Sequence, residues 1–135
     1  MRFIDSDIFI NFLVKEDEIK AKASFELFRR LSSEKEKGIT TEIVITKVVN
    51  ILSSPPYSLN PGEVRSKLTP LTGVAGLRIP HKRLVQKALD IFVEITGLDF
   101  TDALSMAYME RDDIEEIYSF DKIKNQVRSI KRVEP

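Results

Sequence analysis

Three acidic residues lie at or near predicted strand ends, where an α/β fold binds its ligands. Asp5 follows a short apolar run at the amino terminus, and Asp121 comes two residues after a predicted strand over 116–119. Asp102 lies in the first turn of the helix that leads into that strand. Because ligands bind at the carboxyl ends of the strands in an open parallel sheet, we expect the three carboxylates at one rim.

Three carboxylates at one rim would repel each other. At an effective dielectric of about 20, each pair about 4 Å apart costs on the order of 4 kcal/mol. A divalent cation relieves this repulsion and can activate a water molecule against a phosphodiester. The chain has no cysteine and one histidine, His81, so the ligands must be mainly oxygen atoms, which favours Mg²⁺ or Mn²⁺. Alternatively, each acid only caps a helix or a turn.

The spacing of apolar residues predicts helices that alternate with short strands. The predicted strands cover 2–4, 39–40, 76–79, 116–119 and 129–133. The predicted helices cover 7–13, 17–32, 42–52, 61–71, 81–96 and about 99–110. Alternating elements imply right-handed crossovers and a parallel sheet covered on both sides. We therefore predict a single domain over residues 1–135 with a three-layer α/β/α fold and a central, mostly parallel sheet of four to five short strands.

Charge is balanced overall but uneven along the chain. The 21 basic and 21 acidic residues give a net charge of zero, so no global field attracts nucleic acid. However, the segments 64–89 and 122–133 contain basic residues and no acid. They are either solvated faces or a phosphate-facing surface around the acids. No apolar run approaches the roughly 20 residues of a membrane span, and the lack of cysteine fits the cytoplasm, where we expect the protein.

Three short motifs resemble the PIN domain family, especially the small prokaryotic members that include VapC toxins. They are FIDSDIF at 3–9, DFTDALSMAYM at 99–109 and IYSFDK at 117–122. The resemblance implies an α/β/α nuclease, usually acting on RNA, whose acidic site binds Mg²⁺ or Mn²⁺. By this resemblance Asp5, Asp102 and Asp121 hold the metal and catalyse hydrolysis, and Ser119 orients a water molecule or the metal.

The third predicted helix departs from the family pattern. A glutamate is usual within this helix, but here the segment VITKVVNIL carries Lys47 at that place. Glu42 lies five residues earlier, about 140° around the helix, so it cannot take the same place without a shift. We hypothesise that the Lys47 ammonium enters the acidic site and neutralises it in place of a metal. Alternatively, Lys47 lies at the surface, and Glu42 or Asp99 completes a metal site.

Two functions follow from the resemblance. The leading one is a metal-dependent endoribonuclease, a VapC-like toxin of a toxin–antitoxin pair, whose basic residues in 78–87 and 122–132 grip the RNA backbone. The alternative, favoured by Lys47, is a PIN-like protein with weakened or lost catalysis that binds RNA or a protein. The resemblance also implies a homodimer and an antitoxin partner, and the proline-bearing stretch 54–77 is the expected partner surface.

Overall fold

The computed structural model describes all residues from 1 to 135. The strands are β1 (Arg2–Phe3), β2 (Gly38–Ile39), β3 (Leu77–Arg78), β4 (Glu116–Tyr118) and β5 (Lys131–Val133). The α-helices are α1 (Ser6–Val14), α2 (Glu18–Ser32), α3 (Glu42–Ser53), α4 (Pro61–Thr72), α5 (Lys82–Glu94) and α6 (Phe100–Arg111). Every predicted helix and strand is confirmed, whereas the 3₁₀ helix Lys122–Gln126 was not predicted.

All strand pairs are parallel, which confirms the α/β class and the parallel pairing. Hydrogen bonds divide the strands into a three-stranded sheet, in the order β1–β2–β3, and a two-stranded sheet of β4 and β5. This differs from the expected single sheet of four to five strands. The chain forms two compact units, a first unit over Met1–Lys82 and a second unit over Arg83–Pro135. The single domain over 1–135 stays a prediction.

In the first unit, Thr40 holds the carboxyl ends of three strands together. Its backbone N–H donates to the carbonyl oxygen of Arg78 at 3.0 Å, and its hydroxyl donates to the carbonyl oxygen of Ile4 at 3.0 Å. The side chain is fully buried, so these bonds are shielded from water. The strand end just before Asp5 is therefore fixed by buried hydrogen bonds.

The core of the first unit lies where α1 packs against α2 and α3. Phe28 of α2 meets Phe9 and Phe12 of α1, with ring centroids 5.5 and 4.4 Å apart. Helix α3 buries one apolar stripe, formed by Ile45, Val48, Val49 and Leu52. Because this stripe follows the helical repeat, the opposite side of α3, which carries Lys47, is exposed.

The second unit buries the apolar faces of α5 and α6. Phe92 of α5 meets Phe100 of α6 edge to face, with centroids 5.8 Å apart. The 3₁₀ helix contributes the buried Lys124 and packs beside β5, and Val127, the residue after this helix, is also buried. A charged residue is thus part of this interior. No helix in either unit is long and apolar enough to cross a bilayer.

Candidate active site

In the second unit, one lysine brings two of the predicted site residues together. Lys124 Nζ lies 2.7 Å from Asp102 Oδ1 and 3.4 Å from Asp121 Oδ2. Both distances are within the range of ion pairs, and the ammonium donates a hydrogen bond to Asp121. Asp102 and Asp121 thus converge on a single cation that the chain itself supplies.

Asp121 is oriented by the start of the 3₁₀ helix. Its Oδ1 accepts the backbone N–H of Ile123 at 3.0 Å, and its own N–H donates to the Ser119 hydroxyl oxygen at 3.1 Å. The first oxygen caps the helix, and the second is left for Lys124, one 3₁₀ turn further on. Ser119 therefore acts on the backbone of Asp121.

Asp102 is positioned by the cap of α6. Asp99 is the residue before this helix, and its Oδ1 accepts the backbone N–H of Asp102 at 2.7 Å. Such a cap satisfies a donor that the helix leaves unpaired. The structure thus gives Asp99, a candidate metal ligand from the sequence, a capping bond that fixes the backbone of Asp102.

Lys124 is the most buried member of the cluster. Its side chain is 7% exposed, against 25% for Asp102 and 58% for Asp121. Burial acts to lower the pKa of Lys124, but the hydrogen bonds and charges of the two carboxylates outweigh it and raise the pKa above its usual value. The side chain is therefore a protonated, buried ammonium at neutral pH.

The pKa of Asp121 is lowered, so this carboxyl is ionised at neutral pH. The largest cause is the hydrogen bond from the Ile123 N–H; burial opposes it, and the ammonium of Lys124 and the charge of Arg132 add to the lowering. Arg132 in turn donates to the Ser119 carbonyl at 2.9 Å and to Asn125 Oδ1 at 3.0 Å. These bonds connect β5 to the residue after β4 and to the 3₁₀ helix.

This arrangement does not fit the divalent ion that the sequence predicted. Within either unit, no group of three or more histidine or acidic side chains is arranged to hold a metal ion. The two carboxylates of the second unit already share the ammonium of Lys124. A metal ion bound to both Asp102 and Asp121 would need the space that the Nζ fills.

The predicted site residues of the first unit have different surroundings. Asp5 caps α1 by accepting the Ser6 N–H at 2.7 Å, and Glu42 lies in the first turn of α3. Lys47 is exposed and forms no ion pair within 4.0 Å with Asp5 or Glu42. The hypothesis that Lys47 neutralises the acids is not confirmed.

Lys47 instead lines an open cleft of about 760 Å³ in the first unit. Asp7, Glu16 and Asn50 line the same cleft. Its polar groups include Tyr57, whose pKa is raised by burial and by the neighbouring Glu16 carboxylate. This side of α3 is therefore a solvated surface.

The ion pairs of Lys124 were not predicted from the sequence. It belongs to the basic segment 122–133, which was expected either to be solvated or to face phosphate, yet Lys124 and Arg132 turn inward. One signal was available. Lys124 lies three residues after Asp121 and three before the apolar Val127, the spacing that aligns side chains in a 3₁₀ helix.

Comparison with known proteins now gives the class of protein. The PIN domain family model matches residues 2–129, so the chain belongs to the PIN domain family. Among solved structures, VapC20 of Mycobacterium tuberculosis, a sarcin–ricin loop cleaving toxin, is 18% identical over 100% of both chains, with a TM-score of 0.39. The comparison with curated protein sequences finds no match.

Proposed function

We propose that the chain is a VapC-like ribonuclease that hydrolyses RNA phosphodiester bonds, with Asp102 and Asp121 as catalytic carboxylates. Membership of the PIN family supports the reaction class. The observation that carries the assignment is the convergence of the two carboxylates on one cation. Asp5 is a third catalytic candidate by family resemblance, and Ser119 is a positioning residue for Asp121.

The carboxylates of Asp102 and Asp121 and the ammonium of Lys124 can contribute directly to phosphodiester hydrolysis. Asp121 is ionised and more than half exposed, so its carboxylate can accept a proton from an attacking water molecule. The Lys124 ammonium can stabilise negative charge on a phosphate oxygen. The Mg²⁺ or Mn²⁺ implied by the family would supply water activation, but the pair does not fit this ion while Lys124 holds it.

Exposed aromatic and basic side chains beside the pair suit single-stranded RNA. Tyr118 and Phe120 are 76% and 72% exposed and flank Ser119. Tyr118 ends β4, and Phe120 lies at the bend that follows it. Aromatic rings of this kind stack on bases, while exposed lysines such as Lys122 and Lys131 can contact the backbone phosphates.

A second function is favoured by the same ion cluster. If the Lys124 ammonium permanently occupies the space between the two carboxylates, the chain is a PIN-like RNA- or protein-binding module with weakened or lost catalysis. The ion pairs of Lys124, rather than the position of Lys47, now support this alternative. Both functions use the same exposed aromatic side chains, so binding alone does not separate them.

Cleavage and binding of a labelled RNA separate the two functions. In the presence of Mn²⁺ we expect the wild type to cleave, leaving a 3′-hydroxyl and a 5′-phosphate, and Asp102→Asn to bind but not cleave. Asp112→Asn is the matched control, because Asp112 follows the other end of α6 and pairs with Arg111. RNA binding without cleavage by the wild type would support the RNA-binding module, and the absence of both activities would contradict both the ribonuclease and the RNA-binding module.

The biological setting stays a prediction from the resemblance. It comprises an antitoxin partner, a homodimer and a cytoplasmic location. Expression of the wild type alone should arrest growth, and Asp102→Asn should relieve the arrest if cleavage causes it. Arrest by both proteins would show that RNA cleavage is not its cause.

A further inference from the structure

We propose that Lys124 is the resident cation of the Asp102–Asp121 pair and keeps divalent metal ions out of it. The inference concerns the same carboxylates as the proposed ribonuclease and rests on their role there. It predicts that the wild-type pair binds Mn²⁺ weakly, and that removal of one ammonium converts it into a metal site.

The position of the Nζ gives the first argument. It bridges carboxylates from two elements, 2.7 Å from one at the start of α6 and 3.4 Å from one at the start of the 3₁₀ helix. A small divalent ion bound to both would lie roughly 2.0–2.2 Å from each oxygen, in the space between them. Because the Nζ already fills that space, the ammonium and the metal ion exclude each other.

Burial gives the second argument. The Lys124 side chain is 7% exposed, and its backbone is held by the 3₁₀ helix through bonds to the Asp121 carbonyl at 3.3 Å and from the Val127 N–H at 3.2 Å. A buried ammonium is stable only beside its carboxylates. It therefore cannot move aside unless the side chain leaves its buried place or the short helix opens.

Charge gives the third argument. Two carboxylates and one ammonium leave the cluster with a formal charge of minus one, half of what a bare pair would offer a cation. The ammonium also repels an incoming divalent ion. Both effects lower the affinity for Mn²⁺, and both disappear when Lys124 is replaced by a neutral residue.

The chain supplies a matched control in Lys122. This lysine lies in the same 3₁₀ helix, but its side chain is exposed and it forms no ion pair within 4.0 Å. Lys122→Met therefore removes the same charge from the same element while leaving the pair intact. Any effect of Lys124→Met beyond that of Lys122→Met is due to loss of the ion pairs of Lys124 with Asp102 and Asp121.

The experiment measures Mn²⁺ binding by calorimetry and by electron paramagnetic resonance, without RNA. Lys124→Met keeps a long apolar side chain, and we expect it to bind Mn²⁺ about tenfold or more tightly than the wild type. Lys122→Met should bind as the wild type does. Adding Asp102→Asn to Lys124→Met should return the affinity to the wild-type level.

Two results would overturn the proposal: Mn²⁺ binding by the wild type as tight as by Lys124→Met, or equal tightening in both lysine variants. If Lys124→Met does not fold, Lys124→Gln takes its place. On the wild type itself, acetylation read by mass spectrometry should find the Lys124 amine protected, and saturating Mn²⁺ should expose it. Mn²⁺ binding that Asp102→Asn abolishes, with Lys124 still protected, would also refute the exclusion.

These measurements are independent of ribonuclease activity. A chain that cleaves no RNA could still show the tenfold difference in Mn²⁺ affinity, which would support the resident cation and contradict the proposed enzyme. Conversely, RNA cleavage with tight wild-type Mn²⁺ binding would support the enzyme and contradict the resident cation.

Discussion

Each of the two units has a carboxylate just after a strand and a lysine on a helix. Only in the second unit do the carboxylate and the lysine form an ion pair. Asp5 gives one oxygen to the Ser6 N–H, while Lys47 in the same unit is exposed and forms no ion pair with it. Asp121 likewise gives one oxygen to a backbone N–H, but its other oxygen bonds the buried Lys124. In both units the helix cap uses only one oxygen of the carboxylate. The other oxygen forms an ion pair only where a buried lysine lies within reach.

The side of the helix that is buried explains why the two lysines differ. The buried stripe of α3 is centred between Val48 and Val49, about 150° around the helix from Lys47. Lys124 in the 3₁₀ helix and Val127 just after it are three residues apart, one 3₁₀ turn, and both are buried. A lysine on the side of a helix away from its buried residues is therefore solvated, whereas a lysine among the buried residues needs acidic partners.

The largest effect on stability should come from Asp102→Ala. It leaves the buried ammonium of Lys124 with one partner at 3.4 Å, and removing a partner from a buried ion pair costs about 3 kcal/mol. Urea denaturation should therefore show the free energy of unfolding lowered by about that amount, with Asp112→Ala as the control. A loss no greater than that of the control would mean that the bridge contributes little to stability.

The second effect is a loss of stability at alkaline pH. The pKa of Lys124 is raised above 10.5 in the folded protein. The stabilisation by its charge is therefore complete below the unfolded pKa and is lost as the pH rises from 10.5 through the folded pKa. Denaturation between pH 9 and 12 should show a steeper fall for the wild type than for Lys124→Met, while Lys47→Met should fall as the wild type does.

A smaller effect is expected in the first unit from Asp5→Ala. This change removes the cap of α1, and the loss of a helix cap lowers the free energy of unfolding by about 1 kcal/mol. The same denaturation series should show that Asp5→Asn, which can still accept the Ser6 N–H, retains most of the stability. If Asp5→Ala lowered the free energy of unfolding as much as Asp102→Ala does, the two carboxylates would not differ in their contribution to stability.

The smallest effect should come from Lys47→Met. Its ammonium is exposed and pairs with neither Asp5 nor Glu42, so the free energy of unfolding should change by less than about 0.5 kcal/mol. Mn²⁺ affinity should also be unchanged within error. A tenfold gain in Mn²⁺ affinity would restore the hypothesis that Lys47 guards an acidic site.

Much of the fold could be predicted from local sequence, because helices and strands follow from apolar spacing and capping residues. The order of elements and the parallel pairing were correct, and the strand ends that carry Asp5 and Asp121 were found. The division of strands between two sheets was not predicted, since hydrogen bonds between distant segments leave no local signal. The 3₁₀ helix was missed because five residues are too few for a periodic pattern.

By itself, the sequence determined the class of elements, the lack of thiolate ligands, the acids at strand ends and the resemblance to the PIN family. Only the tertiary structure decided which lysine forms ion pairs with the acids. Lys47 and Lys124 are both helical lysines next to an apolar residue, Val48 and Ile123 respectively. Their roles differ because burial depends on which side of a helix faces the interior, and a buried ammonium is retained only where two carboxylates can reach it.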